Sequence, residues 1–108
     1  MASGYAGLVG TFFFAVKEEP AYQHIKGRWL NNKPYGVIHR LASDGRVRGL
    51  FRESLAFASK HCSEIRVDTH EDNAPMRRLL VVESFVPCGT IYVADGSPRI
   101  AYQKSLEG

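Results

Sequence analysis

Two stretches of this 108-residue chain bring together residue types that could do chemistry. The first is Ser43 to Arg52, Ser-Asp-Gly-Arg-Val-Arg-Gly-Leu-Phe-Arg. Ser43, Asp44 and Gly45 punctuate the end of an apolar run, and a segment of helical period follows. The first backbone N–H groups of a helix have no internal partner and attract anions, phosphate in particular. Arg46, Arg48 and Arg52 add positive charge around that opening, and Gly45 and Gly49 permit close backbone approach. A turn with solvated arginines is the plain alternative, and neither GxGxxG nor the GxxxxGK[ST] phosphate loop is present. The second stretch is Thr69 to Asn73. Asp68, His70, Glu71 and Asp72 are candidates for proton transfer, and they are metal ligands in type. Their spacing matches no zinc pattern, so the expectation is a polar loop and no metal. His39 lies in an apolar segment and reads as a satisfied core histidine.

These residues need elements to position them. Leu8 to Lys17, rich in aromatic and β-branched residues, reads as one strand, with Phe12 and Phe14 on one face and Phe13 on the other. A short helical turn is expected at Ala21 to Ile25, then a loop over Gly27 to Pro34 anchored to the core by Trp29. Tyr35 to Ala42 is a second strand. Val47, Leu50, Phe51, Leu55, Ala58 and Cys62 recur at three- and four-residue steps, the helix period over about four turns. Ile65 to Thr69 is a strand. Asp72 or Asn73 caps a second helix with Ala74 and Pro75 in its first turn and Met76, Leu79 and Leu80 on its apolar face. Phe85 to Val93 and Arg99 to Gln103 form a closing hairpin, signalled by Asp95-Gly96. Strand–helix–strand units with a parallel pair define an α/β class, a mixed sheet flanked by helices in a single domain with its core at about residues 7–104. If the strands before the two helices are parallel, both helix starts lie on one edge, where open sheets of this class bind ligands.

Composition narrows the partners. The formal charge of +3 is compatible with an anionic ligand and too small to indicate nucleic acid. The apolar run Leu8 to Val16 is too short to span a membrane, and no basic leader precedes it. Cys62 and Cys88 lack CxxC spacing and read as free thiols of a reducing cytoplasm.

The residues also carry a resemblance. Arg46-Val47-Arg48-Gly49-Leu50-Phe51 resembles the acyl-coenzyme-A-binding turn of the GNAT acetyltransferase superfamily, where Arg or Gln, two residues, Gly, one residue and then Gly or Ala is usual. Val37 to Ser43 is similar to the strand before that turn. Ile65 to Asn73, with Pro75-Met76 and Leu79-Leu80, resembles a bacterial subgroup of the superfamily. Phe85 to Tyr92, Arg99 to Tyr102, Gly10-Thr11-Phe12 and Trp29-Leu30-Asn31 extend the likeness. It implies an acyl-CoA N-acyltransferase-like fold, N-terminally truncated, since only about six residues precede the first strand. It implies acetyl-coenzyme A as cofactor and direct transfer of an acetyl group to a small-molecule or peptide amine. Backbone groups of Leu41, Ala42 and Ser43 would hydrogen-bond the pantetheine arm between two splayed strands. The pyrophosphate would rest on N–H groups of Arg48, Gly49, Leu50 and Phe51, with Arg46, Arg48 or Arg52 adding charge. Asn73 matches the family position that reaches the cofactor from the second helix start.

Departures from the pattern matter too. Phe51 replaces a small residue and is expected to crowd the phosphate path unless it turns into the core. Leu80 stands where the family often has Tyr, and Ser84 where it often has Gly. With that Tyr absent, Tyr92, Tyr102 and His70 are the candidates for catalytic duty. The alternatives are a catalytically degenerate coenzyme-A-binding relative and a protein-interaction module. In the latter the aromatic strand at Phe12 to Phe14 pairs with a second copy, so a homodimer is an expectation.

Overall fold

The computed structural model describes residues 6–9, 12–16, 19–40 and 47–106. Seven strands, β1 (Ala6–Val9), β2 (Phe12–Val16), β3 (Lys26–Gly27), β4 (Gly36–Arg40), β5 (Glu64–Thr69), β6 (Val86–Tyr92) and β7 (Pro98–Ser105), form one sheet in the order β1-β2-β4-β5-β7-β6-β3. Two helices, α1 (Val47–Ala58) and α2 (Ala74–Val82), follow β4 and β5. The mixed α/β architecture expected from the sequence is present. Two expectations need correction. The run read as one strand is two, β1 and β2 pairing antiparallel with Val9 opposite Phe12. A segment apolar on both faces suits a strand at every position and so conceals the division. As a result β2 has β1 on one edge and β4 on the other. The strand through which a second copy was expected to pair therefore has no open edge.

Alternation along each strand sorts the side chains into two layers. On one face Phe14, Ile38, Ile65, Val67 and Tyr102 pack against Phe51, Leu55 and Ala58 of α1 and Met76, Leu79 and Leu80 of α2. α1 ends at Ala58, a turn earlier than its periodicity suggested, because residues 59–61 form a turn that returns the chain to β5. The other face carries Glu64, Arg66 and Asp68, and a smaller cluster of Tyr22, Val37, Ile91 and Ala101 sits there under Trp29 and Tyr35. Its cover is the segment 19–35, which contains a short 3-10 turn at Pro20–Gln23.

That cover is fastened at several points, two of them away from the β4–β5 gap. The Arg66 guanidinium lies 4.0 Å from the Trp29 ring and 4.1 Å from the Tyr35 ring, and its Nη2 donates to Asn31 O at 2.9 Å. Burial lowers the Arg66 pKa from its ordinary value. Gln103 completes this anchor, its Oε1 accepting from Leu30 N–H and Arg66 Nε and its Nε2 donating to Glu64 Oε1. The second point is the two-residue pairing of β3 with β6, with Gly27 opposite Gly89. Both have positive φ, 135° and 151°. A Cβ on either would fall about 2 Å from a carbonyl oxygen of the other strand, 2.2 Å for Gly27 and 2.1 Å for Gly89, so only glycine fits.

Asn73 caps α2, its Oδ1 accepting from Met76 N–H at 3.2 Å, with Pro75 at the first turn. At the other end Phe85 N–H donates to Leu80 O and Ser84 N–H to Val81 O. Ser84 takes φ 68°, a left-handed conformation usual for glycine. Lys104 Nζ reaches from β7 to donate to Glu83 O at 2.6 Å, placing a cation at the helix C-terminus.

Candidate functional site

The site begins with a fault in the sheet. β4 and β5 are parallel neighbours, but they pair only at Gly36 with Ile65 and Val37 with Arg66. Both strands run on, to Arg40 and Thr69, without further pairing. Each stays fully paired on its other side, β4 with β2 as far as Arg40 and β5 with β7 as far as Thr69. The two strands therefore splay, and backbone edges that would normally complete a ladder face each other across a gap. A slot of about 300 Å³ lies there.

The slot passes from one face of the sheet to the other. Ile38, Val67, Thr69 and Met76 line the helix side. His39, Asp68 and Arg99 line the opposite side, and His70 and Asn73 belong to the turn after β5. Asp68 is held firmly. Its Oδ2 accepts from the Tyr22 hydroxyl at 2.8 Å, and its Oδ1 lies 3.6 Å from Arg99 Nη1. Tyr22 is only 2% exposed, and Trp29 Nε1–H donates to its carbonyl at 3.0 Å. Burial first, and Asp68 second, push the Tyr22 pKa well above the ordinary tyrosine value, so the phenol keeps its proton and acts as a donor. His39 is half-exposed, with Nε2 3.8 Å from Glu19 Oε1. It is a wall of the slot and not the satisfied core histidine its apolar strand suggested.

Both helix starts stand at this edge. Because the N-cap holds the Asn73 Oδ1, the side-chain amide of Asn73 has its NH2 left over for the slot it lines. His70 Nδ1 accepts the Asp72 N–H at 3.1 Å, which leaves the proton of the neutral ring on Nε2. At α1, a Cβ on Gly49 would meet nothing within 4 Å among the described residues. Phe51 is fully buried in the helix-side core, its ring 5.7 Å from that of Phe85. It does not crowd the approach to the helix start.

The remaining sequence candidates fall as follows. Leu41, Ala42, Ser43 and Arg46 lie outside the described residues, and of Val47 and Arg48 only the helical backbone is described. Leu50 is half-buried against the core. Arg52 is turned to the far end of α2, with Nε 3.0 Å from Glu83 Oε2, although 65% of its side chain stays exposed. Among the three residues offered for catalysis, His70 lines the slot and the two tyrosines do not. Tyr102 points to the helix side and is buried in the core. Tyr92 is exposed on β6, with Lys26 Nζ 5.5 Å from its ring centroid. Sequence reasoning missed Arg99 as a slot residue and Tyr22 as the residue that holds Asp68 from behind. A phenol among Trp29 and Tyr35 in an otherwise polar segment was the available signal for Tyr22; for Arg99 the signal was its alternate position on the closing strand. Among the described residues, no three His, Cys, Asp or Glu stand together as metal ligands, and no helix is long and apolar enough to cross a membrane.

A sheet whose parallel central pair splays beyond its first rungs, with a helix starting past each member, is the acyl-CoA N-acyltransferase-like architecture. The chain has the fold of the GNAT superfamily. It is similar to an acetyltransferase of the GNAT family from Streptococcus agalactiae 2603, at 33% sequence identity and a TM-score of 0.72. That likeness covers 91% of this chain and 60% of the streptococcal one. No protein-family model and no curated protein matches the chain.

Proposed function

We propose that this protein transfers an acetyl group from acetyl-coenzyme A to an amine. The observation that carries the reading is the ladder between β4 and β5, which stops at Val37 and Arg66 while both strands continue. An extended, amide-bearing arm laid along the free edge of β4 would take up the backbone bonds that β5 leaves unmade. Past that edge, the first turn of α1 suits a pyrophosphate, with the N–H groups of Val47, Arg48 and Gly49 lacking an intrahelical partner and the charges of Arg46 and Arg48 in reach by sequence. Asn73 offers its amide NH2 from the second helix start.

When bound, the coenzyme supplies an acyl group activated as a thioester. The amine nitrogen forms a bond to the acyl carbon, the carbon–sulfur bond breaks, one amine proton leaves and the departing sulfur gains one. Most of the acceleration would come from alignment in a narrow slot. Free N–H groups on the splayed strand edge would meet the developing negative oxygen. Asp68 and His39 line the side from which an amine enters, where a carboxylate and an imidazole can take the amine proton directly or through water. His70, which lines the slot, would return a proton to the departing sulfur. A buried Leu80, where the superfamily often carries Tyr, favours a second reading, a relative that binds the coenzyme without turnover.

Calorimetric titration with acetyl-coenzyme A and thiol release with a panel of amines test the proposal. Binding with release supports acetyl transfer. Binding without release by any amine supports the second reading. No binding by folded protein overturns both.

A further inference from the structure

We propose that the amine acceptor carries a carboxylate close to its nitrogen, and that Arg99 reads it. This rests on the acyl-transfer reading for what the helix side of the slot holds. Arg99 is the one lysine or arginine among the described residues that lines the slot. Its side chain is 34% exposed, and its guanidinium makes no hydrogen bond with the described residues. Nη1 lies 3.6 Å from Asp68 Oδ1, beyond hydrogen-bond distance, and the buried Nε has no partner among the described residues. Asp95, in the β6–β7 hairpin, feels the same charge only weakly, behind its own bonds to Ser97. A buried N–H without an acceptor is costly, and planar guanidinium donors match the two oxygens of a carboxylate.

Asp68 cannot fill that role by moving, because Tyr22 pins its other oxygen at 2.8 Å and Tyr22 is itself buried. The wall thus presents a fixed carboxylate and an under-used guanidinium side by side. Their mutual ion pair is long at 3.6 Å, and one small ligand carrying both charges can meet each side chain more closely. An ammonium faces Asp68 while it waits to lose its proton, and a carboxylate faces Arg99. The closeness of the two side chains requires a short separation between the ligand's own charges, as in an α-amino acid. A diamine would leave Arg99 unanswered and place a second cation beside it.

The test separates this inference from the acyl-transfer reading by measuring amine binding without coenzyme. Free amino acids and their carboxamides are titrated by NMR into the wild type and into Arg99→Gln and Arg99→Lys, with acetyl-coenzyme A binding followed separately. The wild type should hold the carboxylate form about tenfold or more tightly than the carboxamide, the scale of a charge-assisted pair. Arg99→Gln should abolish that preference, Arg99→Lys should restore part of it, and both should bind acetyl-coenzyme A as the wild type does. Equal binding of the two forms, a preference that survives Arg99→Gln, or no binding of either form overturns the inference whatever the coenzyme does. Loss of coenzyme binding by the wild type overturns the acyl-transfer reading alone.

Discussion

The hydroxyl of Tyr22 donates to Asp68 Oδ2 over 2.8 Å, joining residues 46 positions apart and tying the cover of one sheet face to the wall of the slot. Burial, then Asp68, holds the phenol pKa above its ordinary value of about 10. Below that value both folded and unfolded chains keep the proton and the bond contributes in full. As the pH rises past it the unfolded chain gives up its proton first, so stability falls. Tyr22→Phe should cost about 1–2 kcal/mol at neutral pH and flatten this alkaline loss. Urea unfolding of both proteins from neutral to alkaline pH measures it, and an unchanged pH slope in the variant would count against the arrangement.

Asn73 has two duties that substitution can separate. Asn73→Asp keeps an oxygen for the cap and removes the NH2 that faces the slot. Its stability should stay within about 0.5 kcal/mol of the wild type while acetyl-coenzyme A binding weakens. Asn73→Ala should lose both, with about 1 kcal/mol of stability going with the cap. Denaturation midpoints and calorimetry on the same samples decide the matter.

Ser84 occupies a left-handed conformation at the end of α2 with no side-chain bond among those described to compensate. Ser84→Gly should stabilise the protein by up to about 1 kcal/mol, and Ser84→Val should destabilise it by more than that. Thermal unfolding would show the opposite shifts.

Trp29 is the only tryptophan, so its emission reports the cover directly. Arg66→Leu removes the cation between Trp29 and Tyr35 and the bond to Asn31 O. The expected outcome is a red-shifted emission and a loss of about 2 kcal/mol or more. Unmoved fluorescence would mean that the cover is held elsewhere.

Much of this was legible in the chain. The helix period from Val47 to Cys62 and the apolar strands before and after it required a strand–helix–strand unit, and Asp72 or Asn73 followed by Pro75 marked the second helix start. The resemblance at Arg46 to Phe51 and Ile65 to Asn73 pointed to the fold. What the sequence could not place is what depends on neighbours distant in the chain. Tyr22, Asp68 and Arg99 meet only because β7 lies antiparallel beside β5 and the segment 19–35 folds back across them. A two-residue strand such as β3 has no periodicity to detect, and Gly89 shows its purpose only once Lys26 lies against it. His39 was misjudged because apolar neighbours announce a buried strand and not the point where that strand parts from its partner.

Two rungs join β1-β2-β4 to β5-β7-β6-β3, and beyond them the divide is spanned by the side-chain clusters on the two faces and the cover 19–35 and not by backbone pairing. The molecule is in effect a pair of half-sheets stitched at one end. Whatever lies in the opening becomes a thread between them. Occupancy would then be felt as cohesion, with amide hydrogens of both half-sheets exchanging more slowly together, including those of β1 and β6, whose residues do not line the opening.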